Sequence, residues 1–257
     1  MTLARLSHLR RRPLARTAAC ASLVASAALL TACASPSSNF YTLGGSDSAS
    51  PSRLASTPAL LIEVPRVEVP SQVARNQFVI QNDPLKVRVL EQERWISLPD
   101  AEIRRALSSS LTQQLDTFDV SGTPRPSGVP LYRVNFTVQR FESWPGSHAL
   151  IDAVWSVRAV DNPGLAVLTC RSIENEPVKS GYEALADGHR RALQRIAAQI
   201  ASGIRMLAAA PGPSGRRPPP AKPTPAALRL PCPASAATGA PSISGSSAPD
   251  AVPGRSG

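Results

Sequence analysis

The sequence predicts an α/β fold: a single domain with a mixed, largely antiparallel β-sheet covered by two main helices, followed by a disordered C-terminal tail. Three observations predict it. Residues 131–160 alternate apolar and polar side chains along two long runs, the period of strands with one buried face. Residues 99–118 and 182–209 instead repeat apolar side chains at helical spacing. Every aromatic residue of the 257-residue chain lies between Phe40 and Tyr182, whereas twelve of its 26 prolines fall after position 210.

Taken in order, "NFYTL" (39–43) reads as a first strand and "GGSDSASPSRLAST" (44–57) as a flexible loop. "ALLIEVPRVEV" (59–69) is an apolar, β-branched run. Pro65 within it cannot donate to a ladder, so it belongs at a sheet edge or a bulge. "NQFVIQ" (76–81) and "KVRVLE" (86–91) flank the turn signal "NDP" (82–84), which predicts a hairpin. Pro99 and Asp100 supply helix-start chemistry ahead of Ile103, Leu107, Leu111 and Leu115.

In residues 131–141, Tyr132, Val134, Phe136 and Val138 share one face of a strand. In residues 149–160, Ile151, Ala153, Trp155 and Val157 do the same, and "WPGSH" (144–148) turns the pair into an antiparallel hairpin. "GLAVLTCRSIENEPV" (164–178) supplies a further strand. The last helix, from Tyr182 to Ala209, lines one face with Leu185, Leu193, Ile196, Ile200, Ile204 and Leu207. Arg190, Arg191 and Arg195 mark its solvated side.

The net charge of +10 is carried by the ends. Residues 1–32 hold five arginines and no acid, and the tail beyond 210 holds five basic residues against one aspartate. The remaining 33–209 carry 18 basic and 17 acidic residues. A nucleic-acid-binding domain concentrates its excess of Lys and Arg on the folded part, so nucleic acid is excluded as the expected partner. The tail is too poor in large apolar residues to offset its chain entropy by burial, hence the expectation of disorder over 210–257.

The first 33 residues form an address. "MTLARLSHLRRRPLAR" is a positively charged region, and "TAACASLVASAALL" is an apolar stretch of 14 residues, short for a membrane span. Then comes Leu30-Thr31-Ala32-Cys33, which resembles the lipobox of bacterial lipoprotein precursors. Small side chains let an extended backbone enter a peptidase cleft. The Cys33 thiolate takes a diacylglyceryl group before cleavage between Ala32 and Cys33 frees its amine. Two or more acyl chains hold a protein firmly where one holds it marginally. By resemblance to sorting in Gram-negative bacteria, Ala34 after the cysteine points to the outer membrane, with the body facing the periplasm. Cys20 leaves with the signal. Of the two cysteines left, the simpler reading is a buried free Cys170 and an incidental Cys232, with a disulfide between them as the alternative.

Reactive constellations are sparse. His148 falls in a turn, and His189 lies near the apolar stripe of the last helix as a half-buried, satisfied side chain. No spacing of His, Cys and carboxylates resembles a zinc site. Ser108–Ser110 lie within a helix rather than on a nucleophile elbow. Glu91 with Glu93, and Asp100 with Glu102, read as solvated charges, and Gly44-Gly45 opens no helix that would make a phosphate loop. The expectation is a protein without catalytic residues, cofactor or metal, and so not an enzyme.

The stretch 60–115 carries a resemblance. It combines "I-x-V-x-x-V-x-V-P" (Ile62 to Pro70), Arg75 soon after, a two-strand hairpin, "EQERW" (Glu91 to Trp95) and a helix beginning near Pro99. With "FYTL" shortly after the lipobox cysteine, it resembles the PqiC-type ABC-transport auxiliary lipoprotein family over about residues 40–205. Where relatives often have a Tyr-Leu-Asp-Arg-like segment, this chain has "SQVAR" (71–75). The resemblance implies a non-enzymatic, membrane-anchored lipoprotein whose partners are an ABC permease complex and an MCE-domain protein, moving lipids or other hydrophobic compounds across the cell envelope. It admits a homo-oligomer, which no residue pattern demands. The implied organisation is signal peptide 1–32, lipidated tether with first strand and loop 33–57, auxiliary domain 58–209, and tail 210–257. Arg94 and Trp95, in a predicted loop, are candidate partner contacts; the alternative is a core tryptophan closing the sheet. The rival function is a structural or assembly lipoprotein that binds peptidoglycan or an outer-membrane machine.

Overall fold

In the computed structural model, which describes residues 37–44, 58–162, 167–210 and 231–234, the two alternating runs form the centre of the fold. The signal segment, Ala32, Cys33, residues 45–57 and the tail apart from 231–234 lie outside the described residues. The chain divides into two units, Met1–Asn39, of which only residues 37–39 are described, and Phe40–Gly257.

Strand β5 (Leu131–Trp144) pairs antiparallel with β6 (His148–Ala159), placing Val134 opposite Val157, Phe136 opposite Trp155 and Val138 opposite Ala153 on the buried face. Strand β7 (Leu168–Pro177) adds to the far side of β6 and buries every second residue from Leu168 to Glu176. Strand β2 (Leu61–Glu63) lies parallel to β5, so the sheet runs β2-β5-β6-β7 and is mixed. Beyond Pro65 the chain meets β5 again: Glu68 donates its N–H to the Phe136 carbonyl (3.3 Å) and accepts from Val138 N–H (2.8 Å). The proline sits between two short edge pairings, where no ladder donor is needed.

One irregularity matters for everything above this sheet. Between Val138 and Arg140 the β5–β6 register shifts. An extra residue inverts the strand's phase. Phe141 and Ser143 therefore face inward with Val134, Phe136 and Val138, and both are buried.

The expectation of one sheet needs correction. Strands β1 (Asn39–Tyr41), β3 (Gln77–Asp83) and β4 (Lys86–Trp95) form a separate three-stranded sheet in the order β1-β4-β3. The reason is that β2 and Glu68 already occupy the free edge of β5. Strand β1 is shorter than expected, and β4 continues to Trp95.

Helix α1 (Pro99–Leu115) starts with proline, whose missing N–H costs nothing in the first turn. Helix α2 (Tyr182–Ala209) has the bounds its periodicity predicts. Its stripe from Leu185 to Leu207 is buried on β5, β6 and β7, and α1 packs along α2. Gly188 permits the close approach: a Cβ there would stand 2.4 Å from Val178 Cγ1 and 2.9 Å from Ala149 Cβ. Arg191 and Arg195, expected in solvent, reach back to the buried Glu176.

The cysteines also need correction. Cys170 and Cys232 are joined by a disulfide, where a free Cys170 was the simpler expectation. Strand β7 has a neighbour on one side only, so a returning chain can reach Cys170 along the open edge. Disulfides persist in oxidising compartments.

Candidate functional site

After Phe40 the chain enters the body through three residues that are fastened one by one. Phe40 is exposed, but Tyr41 turns inward, its ring edge-on to Phe78 with centroids 5.2 Å apart. Its hydroxyl donates to Glu93 Oε2 (2.6 Å). Burial, and then the hydrogen bond to that carboxylate, push the phenol pKa above its ordinary value. The Tyr41 carbonyl accepts from Ile96 N–H (2.8 Å). Thr42 Oγ1 and the Leu43 N–H both donate to Glu102 Oε2, at 2.7 and 3.0 Å, and the Leu43 side chain is buried.

The other oxygen of Glu102 accepts from Ser97 Oγ and the Arg105 guanidinium. Glu102 is thus no solvated charge, as its spacing from Asp100 suggested: it is 1% exposed. A carboxylate in the first turn of α1 faces the positive end of the helix and is satisfied by four donors, which is what burial of a charge demands. Glu102→Ala would leave the buried Leu43 N–H without its acceptor. We expect a loss of about 1–3 kcal/mol and faster proteolytic cleavage around Phe40, read by thermal melting and limited proteolysis.

Next to this clasp lies an aromatic cluster. Trp95, expected in a loop as a partner contact, ends β4 and is 2% exposed. It stacks on Phe78 (4.3 Å between centroids) and meets Phe141 edge-on (6.0 Å). The physical reason is strand alternation: Glu93 and Trp95 point inward, toward Tyr41 and Phe78. The core alternative is the one that the geometry supports. Arg94 points away and is partly exposed, its Nε donating to the Glu91 carbonyl (2.7 Å).

His189 completes the cluster, stacked on Phe141 at 3.9 Å. It is fully buried rather than half-buried, and burial lowers its pKa to about 3. Nε2 is 2.8 Å from Ser143 Oγ, and Nδ1 has no hydrogen-bond partner among the described residues. A serine bonded to a histidine is the geometry of an activated nucleophile. Here both side chains are sealed from solvent, and among the described residues no carboxylate orients the imidazole from its far side. The β5 bulge, which turns Phe141 and Ser143 inward, is what creates the pair.

The other sequence candidates do not converge. His148 stacks on Trp144, and Ser108 donates to Asp119 (2.7 Å). Among the described residues no three His, Cys, Asp or Glu are grouped to hold a metal. An apolar cavity of about 690 Å³ opens at the end of α2, lined by Val129, Leu131, Tyr132, Ala159 and Leu207 beside the Arg125–Asp161 ion pair. No sequence signal marked it, because its walls come from three separate elements and a loop.

A sheet-and-helix body whose entering strand is clasped in place is the class of domain that fold and site define. The family model of the ABC-type transport auxiliary lipoprotein component matches residues 41–201, and the chain belongs to this family. It is 27% identical over 169 residues to the "Intermembrane transport lipoprotein PqiC" of Escherichia coli (strain K12), covering 66% of this chain and 87% of that protein. The same figures hold for the protein of that name from Shigella flexneri. The crystal structure of an uncharacterized protein superposes with a TM-score of 0.52 at 20% identity, over 66% of this chain and 99% of the other, a likeness of fold.

Proposed function

We propose that this protein is an outer-membrane-anchored, periplasm-facing auxiliary lipoprotein that works with an ABC permease and an MCE-domain protein to move lipids or other hydrophobic compounds across the cell envelope, and that it performs no catalysis of its own. One observation carries the reading. The family match begins at Tyr41, the first clasped residue, eight positions after the lipobox cysteine. An acyl anchor on Cys33 would thus be coupled to a firmly held strand.

Two further observations support it. The relatives bear the name of an intermembrane transport lipoprotein. The Cys170–Cys232 disulfide suits an oxidising compartment such as the periplasm. Among the described residues no helix is long and apolar enough to cross a membrane, and the proposed attachment is the lipid on Cys33. Density-gradient fractionation with mass analysis tests it. The mature chain is expected in the outer-membrane fraction, starting at acylated Cys33, and Cys33→Ser should release it. A chain that fractionates identically with and without that substitution would contradict the proposal.

A further inference from the structure

We infer that Phe40, Ile96 and Leu98 form a docking patch for the surface of the membrane that holds the Cys33 lipid, so that the domain stands on the bilayer in one orientation. The inference rests on the proposed acylation and goes beyond it, because an acyl anchor alone leaves a domain free to tumble.

The three side chains are 57%, 58% and 49% exposed, large apolar groups on a body whose other such groups are mostly buried. Strand geometry puts them together. Tyr41 packs inward on Phe78, so Phe40 before it points to the opposite face. Trp95 is in the core, so Ile96 after it turns outward, and its N–H is bonded to the Tyr41 carbonyl. Leu98, two residues on, precedes the first turn of α1. Arg94 shares the outward side of β4, partly exposed and paired with Glu91 at 3.8 Å.

Chain length names the occupant. Seven residue steps separate Cys33 from Phe40. Even fully extended they span at most about 25 Å. The lipid therefore keeps this patch beside the bilayer, and burying apolar side chains at the interface adds to the hold of the acyl chains. The opposite end of β4 offers a contrast. Leu85 and Val87, 95% and 54% exposed, sit at the β3–β4 turn. Nine residue steps separate Val87 from Ile96, which lies just past the end of β4, about 30 Å. In the inferred orientation this hairpin tip points away from the membrane.

The test is hydroxyl-radical footprinting of the full-length acylated protein in phosphatidylethanolamine–phosphatidylglycerol vesicles, compared with the Cys33→Ser protein in solution. Oxidation of Phe40, Ile96 and Leu98 should fall several-fold on vesicles while Leu85 and Val87 stay at the solution level. A Phe40→Ser/Ile96→Ser protein with an unchanged melting temperature should remain on vesicles yet restore labelling of Leu98. Equal labelling of both ends, in a chain whose mass confirms lipid on Cys33, overturns the inference and leaves the anchor reading intact. Protection already present in solution and rising with protein concentration assigns the patch to contact between copies and also overturns it. A mass without lipid on Cys33 overturns both.

Discussion

Trp95→Ala is expected to lower the stability of the domain by about 3–5 kcal/mol, the range for truncating a large buried aromatic. The indole is 2% exposed, stacked on Phe78 and in edge contact with Phe141. Its removal opens a hole between β3, β4 and β5, beside Phe78 and Phe141. Domains are stable by only about 5–15 kcal/mol, so the variant should unfold at a much lower denaturant concentration and accumulate poorly. Arg94→Ala, one residue earlier, removes an exposed contact with Glu91 and should change the midpoint by about 0–1 kcal/mol. A Trp95→Ala midpoint close to that of Arg94→Ala would contradict the cluster as described.

The second large effect is acid sensitivity through His189. Its pKa in the fold is about 3, lowered by burial from an ordinary 6.5. Above pH 6.5 both folded and unfolded chains carry a neutral imidazole, and the contribution to stability is full. Below it the unfolded chain takes up a proton that the folded chain refuses, so stability falls as the pH drops from 6.5 toward 3. The expected loss is about 2 kcal/mol between pH 7 and pH 5. His189→Leu removes the titrating group while keeping apolar contact with Phe141. It also leaves Ser143 unpaired, a cost that does not vary with pH over this range. The informative quantity is therefore the slope: the variant's stability should be flatter across pH 5–7 by that amount. Parallel curves for the two proteins would mean that His189 is accessible to protons in the fold.

Helix α2 was legible because its apolar stripe recurs at helical spacing from Leu185 to Leu207, and the structure buries that stripe. The faces of β5 and β6 were equally plain up to Val138, since alternation states which side chains are buried. The bulge after Val138 has no such signature, and the pairing of Ser143 with His189 depends on it. Glu102 looked solvated because two of its four donors, Thr42 and Leu43, lie about sixty positions upstream, beyond what local sequence can report. Trp95 was ambiguous for a related reason. An E-x-x-R-W segment reads as polar loop until Phe78 and Phe141 arrive from other strands. The Cys170–Cys232 bond depends on an edge strand being open, which only sheet order reveals. Periodicity reports burial within an element, whereas this site is made of contacts between elements.

The clasp gives the family resemblance a physical content. Tyr41, Thr42 and Leu43 join the segment after Cys33 to β4 and α1 through side-chain and backbone hydrogen bonds.

Crosslinked capture of the acylated protein from detergent-solubilised membranes, with Cys33→Ser as the control, tests the transport role most directly. The account predicts recovery of an MCE-domain protein and its ABC permease, reduced in the control. Recovery of only cell-wall or outer-membrane assembly proteins, with neither transport component, would contradict it.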